Sequence, residues 1–144
     1  MPLGFYLFGF EIRLPRLGKK EKRHGERVRT YEELYLDYRS LENSASGSGE
    51  ARDISVTGIR FVSKIKYPIG ALLNLKLRFA PGSTPLPNLE CRGRVKRVYK
   101  LFRLKNYRVG CVFEGLSDEA REAIQQFVNW AKAREKKYLF FRWG

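Results

Sequence analysis

The chain has 144 residues, of which 43% are hydrophobic and 14% aromatic, enough for one domain with a buried core. Its 29 Lys and Arg residues against 15 Asp and Glu residues leave a net charge of +14, which favours a partner that carries phosphates. The two cysteines and the single histidine exclude a disulfide framework and a zinc site of four side chains, and the cysteines are predicted to be small buried apolar residues.

The N-terminal region joins a short aromatic stretch to a basic run. The stretch from Leu3 to Phe10 is too short to cross a bilayer, and it lacks the basic start and the cleavage pattern of a signal peptide. Residues 12–30 then carry eight Lys and Arg residues and two acids. We therefore predict a cytoplasmic protein in which residues 1–21 form an aromatic and basic extension ahead of the domain.

Alternating apolar and polar residues predict a series of short strands. The two-residue period is clearest where Leu34, Leu36 and Tyr38 alternate with polar neighbours, as on a half-buried strand. Residues 40–50 are polar and rich in Ser and Gly, which predicts a mobile surface loop. Further strands are expected in residues 54–63, 73–79, 89–99 and 107–113.

The apolar period lengthens toward the C terminus, which predicts a helix. Ser117 is a suitable N-cap, and Asp118 and Glu119 suit the positive end of the helix dipole. The apolar residues between Ala120 and Ala131 lie along one helical face. Five or six strands followed by one amphipathic helix indicate a mainly β fold, a small antiparallel barrel that the helix closes at an end or side.

Catalytic chemistry has little support in the sequence. His24 is the only histidine, and it lies in a charged stretch away from any nucleophile motif. Adjacent acids such as Glu32 and Glu33 would point to opposite faces of a strand, so they do not form an acid–base pair. Glycine-rich phosphate loops and metal-ligand spacings are absent from the sequence. We predict no catalytic residues, no metal site and no cofactor.

Two short motifs carry the functional signal. The first is Arg23-His-Gly-Glu-Arg27, and the second is Asp53-Ile-Ser-Val-Thr-Gly58. In this order, with a strand and a loop between them, the motifs resemble those of the PilZ domain, over roughly residues 22–131. The resemblance implies a six-stranded antiparallel barrel with a C-terminal α-helix that binds cyclic di-GMP and has no catalytic activity. The barrel and helix are then expected to span residues 22–137.

The chemistry of the motif residues fits that ligand. Arg23 and Arg27 can pair through their planar guanidinium groups with phosphate oxygens or with O6 and N7 of guanine. Asp53 offers a carboxylate that suits the N1–H and amino donors of guanine. Ser55 lies two residues on, hence on the same strand face, and adds a hydroxyl group. Gly58 would permit a bulge or a close approach of the ligand.

Three points stay open at this stage. An ion pair of Asp53 with Arg52 or Arg60 is an alternative to ligand contact, and both interpretations can hold together. Many members of the family carry arginine where Lys22 stands, a position that bears on whether one ligand or a stacked pair is bound. Arg97 lies on a late predicted strand, where it is a candidate to stack on a guanine base.

Two other functions compete with this interpretation. Residues 54–113 carry thirteen Lys and Arg residues against Glu90, which also fits a small basic barrel that binds RNA or DNA. That interpretation gives Asp53 and Ser55 no special role, and nucleic acid is therefore disfavoured as a partner. A barrel that keeps the fold and acts as an interaction module alone is disfavoured by the intact motif pair.

The two aromatic ends lie outside the resemblance. They are Leu3–Phe10 and the tail formed by residues 138–144, and a basic run adjoins each. One interpretation is that they pack on the barrel or on each other. The other is that they dock on a protein partner or on the inner face of the membrane, where aromatic rings insert and basic residues meet anionic headgroups. The oligomeric state and the controlled process stay open.

Overall fold

The computed structural model describes residues 26–30, 32–102 and 105–143, with side chains through residue 135. Within these ranges lie seven strands and one helix. In chain order they are β1 (Val28–Arg29), β2 (Leu34–Ser40), β3 (Ser46–Ile54), β4 (Gly58–Ser63), β5 (Leu72–Phe79), β6 (Asn88–Lys100), β7 (Tyr107–Glu114) and α1 (Asp118–Trp143).

Six of the strands close into an antiparallel barrel. Their order is β3-β2-β5-β6-β7-β4, and β4 returns to pair with β3. The short strand β1 lies outside this ring and pairs with β3, with Val28 opposite Ile54 and Arg29 opposite Asp53. The structure confirms the predicted mainly β fold, a six-stranded antiparallel barrel with a C-terminal helix, and adds the outer strand β1.

Alternating side chains fill the interior of the barrel. Leu34, Leu36 and Tyr38 of β2 are buried, while the residues between them are more exposed. The Tyr38 ring packs against Phe61 with ring centroids 5.1 Å apart, and its hydroxyl oxygen accepts a hydrogen bond from the backbone N–H of Lys64 at 3.0 Å. Because its ring is packed and its polar atom is satisfied, Tyr38 is a stable anchor of the interior.

The structure shows that the prediction of a loop throughout residues 40–50 was wrong. Strand β3 already begins at Ser46, and its first half pairs with β2. Gly47 and Gly49 are part of this strand because their missing side chains leave room for the Tyr38 ring and for the backbone of β4. These glycines therefore serve the packing of the barrel, a long-range requirement that the local composition does not reveal.

A tight turn divides the strand that was predicted over residues 54–63. In this turn the backbone N–H of Ser55 donates to the carbonyl oxygen of Gly58 at 2.9 Å. A side chain at Gly58 would meet the carbonyl oxygen of Cys111 on β7 well inside van der Waals distance. The close approach that Gly58 permits is therefore an approach of β7 to β4.

The helix begins where the sequence predicts it. The Ser117 hydroxyl oxygen accepts a hydrogen bond from the backbone N–H of Ala120 at 3.0 Å, which caps the helix. The buried face extends from Ala120 to Ala131, and Phe127 in its middle packs against Phe79 with ring centroids 5.1 Å apart. The helix therefore covers the barrel where β5 ends.

The helix continues past residue 137, where the domain was expected to end. Its backbone is helical as far as Trp143, so most of the predicted aromatic tail, residues 138–144, extends α1. Within the described ranges, no helix is long and apolar enough to span a membrane.

Both cysteines are free thiols in the sheet. Cys111 is buried and Cys91 is half-buried. Burial raises the pKa of each thiol to about 12, because the thiolate is poorly solvated there. Both side chains therefore stay protonated at neutral pH and behave as small apolar groups, as the sequence predicts.

We expect Gly58→Ala to lower the free energy of unfolding by about 1–3 kcal/mol, because the added methyl group would push β4 away from β7. Gly110→Ala on β7 is the matched control, since its methyl group would lie 3.6 Å from Arg60 Cγ and 3.8 Å from Arg97 Cβ, at ordinary contact distance. Urea denaturation of the two variants measures the difference. Equal losses at the two positions would contradict a special close approach at Gly58.

Candidate functional site

A β-bulge turns Asp53 toward the outside of the barrel. Ala51 pairs with Phe61 and Asp53 pairs with Arg60, so one extra residue, Arg52, stands between two consecutive pairs. Strict alternation from the buried Ala51 would direct Asp53 into the apolar interior. Because of the bulge, Arg52 and Asp53 both reach the outer wall, and a carboxylate becomes part of the surface.

Two arginines converge on the Asp53 carboxylate. Nη1 of Arg27 donates to Oδ1 of Asp53 at 2.6 Å, and Nε of Arg60 donates to the same oxygen at 2.9 Å. Nη2 of Arg60 lies 2.6 Å from Oδ2. The Asp53 side chain is 13% exposed, against 30% for Arg27 and 49% for Arg60. The predicted ion pair between Asp53 and Arg60 is therefore present, and it is bidentate.

The arginines occupy most of the acceptor capacity of Asp53. A carboxylate has about four lone-pair positions, two on each oxygen. Oδ1 accepts from both Arg27 and Arg60, and Oδ2 faces Arg60. A partner that donates two parallel hydrogen bonds to this carboxylate must therefore displace at least one guanidinium. The same contact raises the pKa of Arg60 above its usual value, because its hydrogen bond to Asp53 favours the charged form.

Ser55 supports this cluster from the turn between β3 and β4. Its hydroxyl oxygen lies 3.4 Å from Nη2 of Arg27, 2.9 Å from Oγ1 of Thr57 and 3.2 Å from the backbone N of Thr57. The residue is buried. Ser55 thus meets Arg27 from a turn, and the strand-face argument that placed it beside Asp53 does not apply.

The segment that carries Arg27 is held from two sides. Glu26 forms an ion pair with Lys132 of α1, and Arg27 pairs with Asp53 on the barrel. Beyond β1, the Thr30 hydroxyl donates to the carbonyl oxygen of Ala51 at 2.6 Å. The entry to β1 therefore bridges the helix, through Glu26, and the outer wall of the barrel, through Arg27.

The outer wall continues from β4 to β6 across a gap at Gly110 of β7. Arg60 of β4 lies opposite Gly110 of β7, and Gly110 lies opposite Arg97 of β6. A second bulge, between Val95 and Arg97, brings Arg97 to the outside. Its Nη1 donates to the hydroxyl oxygen of Tyr99 at 3.4 Å, and Tyr99 is 55% exposed. This open stretch of the outer wall is bordered by Arg60, Arg97 and the Tyr99 ring, and it suits a flat polar group.

An open cleft of about 910 Å³ borders Asp53. Four arginines line it, one each from β1, β3, β4 and β7, namely Arg29, Arg52, Arg60 and Arg108. Four carboxylates also line it, namely Glu32, Glu33, Glu50 and Asp53. Arg29 and Arg108 were not among the predicted site residues, because the register of β1 and β7 alone brings them to this surface. The cleft therefore offers both donors and acceptors to a ligand.

The structure brings together three of the predicted site residues, namely Arg27, Asp53 and Ser55. Gly58 closes the same turn, and Arg97 lies further round the wall. Two predicted residues, Lys22 and Arg23, lie outside the described residues. Among the described side chains, no group of three or more His, Cys, Asp or Glu residues is arranged to hold a metal ion.

The fold and this surface define a small closed barrel whose filled interior is apolar and whose outer wall carries the polar site. The family model of the PilZ domain matches residues 21–130, and the chain belongs to the PilZ domain family. This match confirms the resemblance that the two motifs indicate. Among curated proteins, no sequence matches the chain significantly.

Solved structures with the same fold agree with this assignment. K. pneumonia MrkH in complex with c-di-GMP matches at a TM-score of 0.65 and 21% identity, over 81% of this chain and 55% of MrkH. The PilZ domain of Escherichia coli YcgR with c-di-GMP matches at 0.63 and 11%, over 82% of this chain and 97% of that domain. The Bacillus subtilis inhibitor of motility matches at 0.60 and 17%, over 80% and 53%. This chain thus spans about half the length of MrkH.

We expect Asp53→Ala to accelerate amide hydrogen exchange in β1, because Arg27 loses its carboxylate partner and only two residues of β1 pair with β3. Asp37→Ala is the matched control, since Asp37 forms a comparable ion pair with Arg78 on the wall formed by β2 and β5. Exchange measured by mass spectrometry compares the two variants. Equal exchange in β1 for both would show that Asp53 does not hold this segment.

Proposed function

We propose that this chain is a non-enzymatic receptor domain for cyclic di-GMP, which converts binding of the second messenger into a change of conformation or interaction. One observation carries the proposal. Arg27 and Asp53, from two motifs far apart in sequence, lie in direct contact on the outer wall, with Ser55 beside them. Membership of the PilZ domain family and the c-di-GMP complexes of MrkH and YcgR support it.

The cluster matches the chemistry of the ligand. Cyclic di-GMP has anionic phosphates and guanine bases, so a site needs cationic donors for the first and carboxylate acceptors for the second. Arg27 can release Asp53 and donate to phosphate oxygens. When Arg60 withdraws its bidentate pair as well, the carboxylate accepts from N1–H and the amino group of guanine. The ion pairs of Asp53 then describe the domain without ligand. On binding, they are replaced by charge-assisted hydrogen bonds to the ligand.

The other predicted residues complete the proposed site. Arg23 would add a second guanidinium from the segment before β1, and Lys22 would add charge without the planar fork of arginine. Arg97 has the shape to stack on a base across the gap at Gly110. Gly58 lets β7 approach β4 closely where β4 begins. The number of ligand molecules bound is not assigned.

The segment before β1 gives binding a route to an output. Because Glu26 pairs with Lys132 of α1 while the neighbouring Arg27 pairs with Asp53, ligand contact at Arg27 acts on a segment tied to the helix. The aromatic segment Leu3–Phe10 and the tail 138–144 are proposed as the surfaces that meet a protein partner or the inner face of the membrane in the cytoplasm. The carboxylates of the cleft argue against a nucleic acid as the partner.

We expect the chain to bind cyclic di-GMP with micromolar or tighter affinity, and Arg27→Ala to weaken binding about ten- to a hundredfold, because a charge-assisted hydrogen bond is lost. Arg92→Ala is the matched control, since Arg92 is an exposed arginine on the outside of β6. Isothermal titration calorimetry measures both variants, with Arg23→Ala expected to behave like Arg27→Ala. Equal, mild losses in all three variants would favour diffuse charge attraction over a specific site.

We expect Asp53→Ala to reduce the preference for cyclic di-GMP over cyclic di-AMP about ten- to a hundredfold, because the carboxylate is the proposed acceptor for guanine donors. Ser55→Ala should weaken both ligands to a similar extent, since its hydroxyl supports Arg27 and the turn. Competition titrations with the two dinucleotides measure the ratio. An unchanged ratio in Asp53→Ala would mean that guanine is recognised elsewhere.

A further inference from the structure

Arg108 stands near the centre of the outer wall and outside both sequence motifs. It lies on β7 between Val62 of β4 and Tyr99 of β6, and it lines the cleft next to Asp53. Its neighbour Val109 is buried, so Arg108 belongs to the outward set of β7. The residue is half-buried, in contrast to the more exposed Arg60.

One nitrogen of the Arg108 guanidinium lacks an acceptor among the described residues. Its Nε atom is buried, and within the described part of the chain no oxygen accepts a hydrogen bond from it. Buried polar groups in folded proteins are nearly always paired, and a cationic group without a partner is costly. In the ranges that the structure describes, none of the four acids that line the cleft forms an ion pair with Arg108. Asp53 pairs with Arg27 and Arg60 instead.

Arg108 and Asp53 are placed so that one ligand can contact both of them. Asp53 on β3 and Arg108 on β7 are separated by β4 and offset by two residues along it, so their backbones are about 12 Å apart. The outward residues of β4 between them are Arg60 and Val62. In a cyclic dinucleotide the phosphates lie in the central ring and the bases project from it, so a base at Asp53 leaves a phosphate further along the wall.

We propose that Arg108 is an anion-binding residue whose partner is a phosphate oxygen of the ligand held at Asp53. This inference rests on the proposed function for the identity of the ligand. The anion site itself rests on an arginine that lines the cleft without an ion pair to the described acids and with an unpartnered Nε. The ligand phosphate would supply the counter-charge that the acids of the cleft do not. Arg108 therefore favours ligand binding at the expense of stability in the unliganded domain.

The test is Arg108→Met, which keeps an apolar side chain of similar length and removes the charge. Its matched control is Arg92→Met, at an exposed arginine on β6. We expect Arg108→Met to weaken binding of cyclic di-GMP about ten- to a hundredfold. We also expect it to raise the melting temperature without ligand by about 2–6 °C, because a buried unpaired group is removed. The control should change neither quantity appreciably.

A second probe separates this inference from the proposed function. Titration with pyrophosphate tests anion binding without guanine, and we expect weak binding that Arg108→Met abolishes and Arg92→Met retains. If cyclic di-GMP does not bind the full chain but this pyrophosphate pattern holds, the proposed function fails and the anion site stands. Unchanged ligand affinity in Arg108→Met, a melting temperature that does not rise, or pyrophosphate binding independent of Arg108 would each overturn the inference.

Discussion

The pairing of β3 with β4 is the constraint on which the site depends. It closes the barrel, and the bulge at Arg52 within this pairing decides that Asp53 faces outward. The same pairing sets Arg60 beside Asp53, while the tight turn places Ser55 within reach of Arg27. The polar cluster therefore depends on closure of the barrel, because the hydrogen bonds between β3 and β4 also orient the side chains of the site.

The electrostatics of the site differ from those of the whole chain. A net charge of +14 would attract polyanions in general. At the cleft, however, arginines and carboxylates alternate, and Asp53 is held by two guanidinium groups. Such a surface discourages a bare polyanion and suits a ligand that carries acceptors and donors close together. Overall charge can then speed the encounter, while the local pattern of both signs determines which ligand stays.

The position of Arg27 determines which part of the site can rearrange. Glu26 pairs with the helix at Lys132, Arg27 pairs with the barrel at Asp53, and β1 adds a pairing of two residues. The ion pairs of Glu26 and Arg27 are easily rearranged, because exposed pairs contribute little stability, whereas Val28 and Thr30 beyond them are buried. The helix itself is fixed by burial of Phe127 against Phe79. Ligand binding can therefore rearrange Glu26 and Arg27 while Val28 stays in the core.

The sequence by itself determined the type of most elements, though not of β1 or the first half of β3, and the residues of the two motifs. Period-two alternation identified β2 and β5, Ser117 identified the helix start, and the motif pair identified the family, because all these signals are local. The tertiary structure decided the rest. It made Gly47 part of a strand, since the Tyr38 ring needs that space. It turned Asp53 outward and set Arg108 beside the cleft, because bulges and strand register depend on pairing between distant residues, which local periodicity does not encode.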